Sequence, residues 1–143
     1  MQDVIEDQVD IDADAERVWR LVSEPGWWIN DGEYREHVVD ERADRFIVTD
    51  AAHGAFAITL DRADPPRHVA FRWLRDPDGP ADGVGTLTEF WIEDRPGGVT
   101  LRVRESGFAS LGLDALALRR SIDDNVEGWS IELEVARTHA ESR

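Results

Sequence analysis

Apolar and polar residues alternate near the start of the chain, with Ile5, Val9 and Ile11 on one side and Glu6, Gln8 and Asp10 on the other. A period of two marks a half-buried strand, because successive side chains of an extended backbone point to opposite faces. Asp14 then precedes a stretch from Ala15 to Val22 with apolar residues at 18, 21 and 22 and an acid, Glu16, in its first turn. A capping carboxylate and negative charge at an N-terminus both stabilise helix, so this spacing predicts a short amphipathic helix that Pro25-Gly26 ends. Trp27-Trp28-Ile29 is expected to form a second short helical turn, closed by Asn30-Asp31-Gly32.

Six further strands are expected in a meander, at Tyr34 to Asp40, Arg45 to Asp50, Ala55 to Asp61, His68 to Leu74, Val84 to Glu93 and Val99 to Ser106. The segments between them are short and rich in Asp, Pro and Gly, which requires consecutive strands to run antiparallel. Alternation assigns Phe56, Ile58 and Leu60 to the interior face, then Val69, Phe71 and Trp73, then Thr88, Phe90 and Ile92, then Leu101, Val103 and Glu105.

From Asp114 to Glu141 the period changes. Apolar residues fall at Ala115, Leu118, Ile122, Val126, Trp129, Leu133 and Ala136, in steps of three and four, which predicts one long amphipathic helix. Its stripe must be buried, and the interior face of the sheet is the only large apolar partner. Gly128 costs about 1 kcal/mol inside a helix, so either close backbone approach or open cavity volume beside Trp129 must justify it. No repeat or linker interrupts the pattern, and residues 1–143 are expected to form a single α+β domain with a seven-stranded antiparallel sheet, two short helices after the first strand and a long C-terminal helix.

Composition narrows the function. The 143 residues are 41% hydrophobic with six Trp and five Phe, enough apolar bulk to offset the chain entropy of folding. Thirty-one acids face sixteen bases, all of them Arg, for a formal charge of -15, which repels phosphate backbones and anionic headgroups; nucleic acid and membrane insertion are therefore not expected. Cysteine is absent, which excludes disulfides, thiolate nucleophiles and Cys-ligated zinc. The first residues lack the basic and apolar regions of a signal peptide, and the longest stretch free of acids and Arg, Ala51 to Leu60, spans ten residues, so a cytoplasmic location is expected.

Several local patterns, in this order, carry a family resemblance. They are Val9-Asp10-Ile11-Asp12-Ala13 followed by Val18-Trp19; Trp28; Asp64-Pro65-Pro66-Arg67-His68-Val69-Ala70-Phe71-Arg72-Trp73; and Glu105-Ser106-Gly107-Phe108 with Gly128-Trp129-Ser130. Across nearly the whole chain, this sequence resembles the stand-alone START-like proteins of the family related to the C-terminal domain of the heat-shock-protein ATPase activator. The resemblance implies a helix-grip fold, START-like or birch-pollen-allergen-like, in which a curved sheet wraps around the long C-terminal helix and leaves a cavity between them. Its superfamily holds lipid carriers, polyketide cyclases, aromatases and hormone binders, so the fold does not choose among them.

The chemistry-bearing residues are few. His37, His53, His68 and His139 show no i, i+4 ligand spacing, and no metal is expected. His68 and His139 read as surface residues, while His37 and His53 fit either face. Gly83-Val84-Gly85 lacks the third glycine of a dinucleotide fingerprint, and no G-x-S-x-G or P-loop occurs, so no cofactor is expected. The loop from Asp76 to Gly83 fails as a calcium loop because Leu87 stands where a bidentate Glu is needed. Glu105 is the one acid that alternation places inside, either as an acid, base or ligand anchor, or simply at a strand end reaching water or an Arg. Arg72, Arg102 and Arg104 fall on the outer face, where Trp91 and Arg102 are placed to stack.

The candidate cavity set is Trp28, Phe71, Trp73, Phe90, Val103, Glu105, Val126 and Trp129, with the aromatics read either as pocket walls or as plain packing. The leading expectation is non-catalytic binding of a small hydrophobic molecule by a monomer or homodimer. The competitors are a cyclase or aromatase-like enzyme, which a second acid-base group at the cavity would favour, and a chaperone-interaction domain, which would need an exposed docking surface.

Overall fold

The computed structural model describes residues 4–30 and 32–142; Asp31, expected to help close a turn, lies outside the described residues. Strand β1 is Val4–Ile11, and β2 to β7 are Val38–Glu41, Phe46–Asp50, Gly54–Asp64, His68–Leu74, Gly85–Arg95 and Gly98–Ser106. They form one antiparallel sheet in the order β1-β7-β6-β5-β4-β3-β2, a meander closed by the first strand beside the last. Helix α1, Ala15–Val22, is capped by Asp14, whose Oδ1 accepts from the Arg17 N–H at 2.8 Å. Helix α2, Ala115–Glu141, runs unbroken for 27 residues and is capped the same way, with Asp114 Oδ1 accepting from the Ala117 N–H at 2.8 Å. Both caps satisfy backbone donors that a helix start leaves unpaired.

One core joins the two layers. Val48, Ile58, Val69, Phe71, Phe90, Ile92, Leu101 and Val103 of the sheet bury against Leu118, Ile122, Trp129, Leu133 and Ala136 of α2, and Val18, Leu21 and Val22 of α1 close one end. None of the described helices is long and apolar enough to cross a membrane.

Three expectations need correction, and one element is new. The second strand is shorter than expected, because the residues before it are held by loop contacts: the Arg35 N–H donates to Asn30 Oδ1 at 2.9 Å, and the His37 ring bonds the Ile29 carbonyl. Residues 24–29 form two i to i+3 turns, Trp27 N–H to Glu24 and Ile29 N–H to Gly26, in place of a second helix after β1. Leu60 is exposed, because the pairing register shifts between Leu60 and Arg62 and the end of β4 leaves the core. A short 3-10 turn, Phe108–Leu111, was not foreseen; it lies between Gly107 and Gly112, whose φ angles of 93° and 72° put it between two left-handed corners.

Candidate functional site

Between the sheet and α2 lies a cavity of about 340 Å³. Trp28 from the loop after α1, Phe56 from β4, Trp73 from β5 and Trp129 from α2 give it aromatic walls. Thr86 and Glu105 face it from adjacent strands β6 and β7, while Ser121, Asn125, Gly128 and Glu132 face it from α2. Residues 121, 125, 128 and 132 lie three and four apart, so one stripe of the helix carries them all.

The polar groups are ordered by hydrogen bonds. Glu105 is only 7% exposed, and both its oxygens are engaged by neutral donors: Thr86 Oγ1 donates to Oε2 at 2.7 Å and the Trp129 indole N–H donates to Oε1 at 2.8 Å. Burial pushes the Glu105 carboxyl above the usual carboxylate range, and the two donors pull it back without cancelling the shift. Glu132 Oε1 accepts from the buried Asn30 amide at 2.8 Å, and the same amide donates to the Trp27 carbonyl at 2.7 Å. Asn30 thereby ties the loop that carries Trp28 to the helix opposite it.

Of the eight candidate residues, Trp28, Trp73, Glu105 and Trp129 line this cavity. Phe71, Phe90 and Val103 are buried in the core behind it: Trp28 packs with centroids 5.6 Å from both phenyl rings and 6.1 Å from the Trp129 ring. Val126 is a correction, being 48% exposed and outside the core; Ala115 is exposed as well. After Ile122 the inward position is three residues on, at Asn125, not four. Asn125, Glu132, Ser121 and Thr86 were missed as cavity residues because an apolar stripe passes over polar members of the same face. The signal that finds the three helix residues is the i, i+4, i+7, i+11 spacing of 121, 125, 128 and 132 itself, and Thr86 shares the strand parity of the inward Thr88 and Phe90.

Gly128 separates the two explanations offered for it. A Cβ there would meet nothing within 4 Å, so no close backbone approach requires the glycine, and its missing side chain leaves open space at the cavity.

The histidines lie elsewhere. His37 turns inward, with Nε2 2.5 Å from the Ile29 carbonyl and 3.2 Å from Asp50 Oδ1. Asp50 also accepts from Arg35 Nη2 at 2.9 Å and from the N–H groups of Ala52 and His53 at 3.0 and 2.9 Å. Desolvation would raise its carboxyl, but those two amides, Arg35 and His37 outweigh it and hold it below the usual range. This cluster pins the loop that carries Trp28 and Ile29. On the outer sheet face, His68 is more enclosed than expected, 3.1 Å from Glu89 Oε2 and stacked on Trp91, over which Arg102 also lies at 4.6 Å. His139 stacks on Tyr34 with centroids 3.9 Å apart. Among the described residues no three His, Asp or Glu side chains gather as a metal site.

The architecture matches solved structures over nearly the whole chain. A protein of Mesorhizobium loti superposes with a TM-score of 0.68 at 18% identity, covering 94% of each chain. The Aha1 dimer from Colwellia psychrerythraea, a solution structure, gives 0.66 at 16% identity over 98% of this chain and 97% of that one. The fold is the START-like helix grip. BexL, a di-domain ARO/CYC protein, matches with a TM-score of 0.64 at 18% identity; the match covers 50% of that chain and 98% of this one. At these identities the likeness is one of fold. No protein-family model and no curated protein sequence matches the chain.

Proposed function

We propose that this START-like domain binds a small hydrophobic or aromatic molecule, without converting it, in the cavity between the sheet and α2. Gly128 carries the reading: a glycine in the middle of a long helix costs stability, nothing packs close enough to demand it, and the space it opens belongs to the cavity. The volume lies at the small end of the range for small-molecule sites, and aromatic walls with a few placed polar groups are the usual composition of such sites. Glu105 supports a binding role over a chemical one, because its two hydrogen bonds fix Thr86 and Trp129 as walls of the cavity.

The test is titration with a neutral fluorescent probe, N-phenyl-1-naphthylamine, read by energy transfer from the cavity tryptophans. Saturable binding in the wild type that disappears in Gly128→Leu, with the fold retained by circular dichroism, is expected. Equal binding in both proteins places the probe elsewhere and removes the reading.

One observation favours a second reading. Glu132 brings a second carboxylate to the same cavity, the feature a proton-transferring enzyme needs, and the half-length likeness to BexL fits a cyclase or aromatase-like activity. In that reading the more buried Glu105 holds a proton as the acid and Glu132 acts as the base. Conversion of a bound aromatic precursor by the wild type, lost in Glu105→Gln while binding persists, would make it the better account.

A further inference from the structure

The charge of the cavity narrows its ligand. Two carboxylates, Glu105 and Glu132, face it, and no Arg or His does among the described residues. The remaining polar groups, Thr86, Ser121 and Asn125, are neutral. An anionic ligand drawn into this space would lose its water, find no cation and lie near two acids, a combination that low-dielectric surroundings make costly. A ligand that brings its own positive charge meets the opposite situation.

We propose, on the basis of the cavity-binding reading above, that the site selects an organic ammonium ion, a protonated amine carried on an apolar or aromatic body, over a carboxylate of the same shape. Three features converge on this chemistry. Trp28, Trp73 and Trp129 line the space, and indole is the strongest aromatic partner for an ammonium group. The Trp129 N–H donates to Glu105, which polarises that indole toward greater electron density on its face. Each Glu105 oxygen, after accepting one hydrogen bond, keeps a lone pair that an ammonium N–H can use. At longer range the formal charge of -15 gathers cations and repels anions before any contact forms.

The test compares three probes of one shape: naphthylethylammonium, naphthylethanol and naphthylacetate, by isothermal titration calorimetry at neutral pH and fixed salt. The ammonium is expected to bind at least about tenfold tighter than the alcohol, with the carboxylate weakest. In Glu132→Gln the ratio of ammonium to alcohol affinity is expected to fall toward one, and Glu105→Gln should lower it as well; Glu132→Gln carries the test alone if Glu105→Gln does not fold. An ammonium preference that survives in Glu132→Gln, or a carboxylate that binds as tightly as the ammonium, overturns the proposal and leaves the cavity reading standing. Binding of none of the three removes both.

Discussion

Trp129 and Glu105 join the two layers of the fold: the indole N–H on α2 donates to Oε1 on β7 at 2.8 Å, across the edge of the cavity. Sequence alternation puts the carboxylate inside and helix spacing puts the indole inward, but the bond between them exists only once α2 lies on the sheet. It serves two ends, satisfying a buried acceptor and fixing the orientation of a cavity wall.

Trp129 is 4% exposed and packs on Phe90 at 5.7 Å between centroids, so truncation removes core as well as wall. Trp129→Ala is expected to cost about 3 to 5 kcal/mol in urea denaturation. Trp129→Phe keeps most of the volume and loses the donor, leaving Glu105 Oε1 short of a partner, at roughly 1 to 3 kcal/mol. An alanine variant with nearly wild-type stability and no probe binding would assign the residue to the pocket wall alone.

Glu105 and Asp50 are expected to give stability opposite dependences on pH. The Glu105 carboxyl is raised by burial above its ordinary 4.5, so its contribution is complete below that value and is lost as pH climbs through the folded value. Glu105→Gln has no such charge; the stability of wild type minus that of Glu105→Gln should therefore fall as pH rises above 4.5 and then level off. Asp50 is lowered below its ordinary 3.8, so its contribution holds above that value and is lost as pH falls through the folded value; Asp50→Asn should flatten that acid limb. Denaturation curves across the acid range check both, and a wild type minus Glu105→Gln difference that grows with pH would show Glu105 to be stabilised as the anion.

Gly85 opens β6 directly against β5, and a Cβ built there would lie 1.9 Å from the Trp73 carbonyl oxygen. Backbone cannot yield as a flexible side chain does. Gly85→Ala is expected to force the strands apart beside Trp73 and Thr86, costing about 1 to 3 kcal/mol or more, with weaker probe binding. Unchanged stability by thermal melting would mean that the strands are not so closely paired there.

Much of the fold was legible because its period-two and helical stretches are long: β5 is His68–Leu74 as expected, and α2 begins and ends where its cap and apolar spacing place it. The site was legible only in part. Trp28, Trp73, Glu105 and Trp129 stand out by size or by a charge on an apolar face, whereas Asn125 and Glu132 look like ordinary solvent-facing helix residues until the sheet is in place. Val126 was misplaced by a single step, since a helix of 3.6 residues per turn tolerates either 125 or 126 between 122 and 129 when only apolar residues are counted. The two positions are expected to behave oppositely: Val126→Gln, at an exposed site, should shift stability by less than about 0.5 kcal/mol, while Asn125→Leu should alter probe affinity. A large loss of stability in Val126→Gln would return that residue to the core.

Gly128 gives the most direct separation of folding from function. Its Cβ position is empty, so Gly128→Ala introduces no clash, reduces the freedom of the unfolded chain and improves helix propensity. The variant is expected to gain roughly 0.4 to 1 kcal/mol in urea denaturation. Gly128 lines the cavity, so a methyl group there takes up part of that open space and the gain should come with weaker probe binding. Opposite signs for stability and affinity are what a residue kept for cavity volume must show. A stabilised Gly128→Ala with undiminished affinity would mean that the space at this position is not used by the ligand, and a destabilised one would mean that the backbone there is more tightly enclosed than its surroundings indicate.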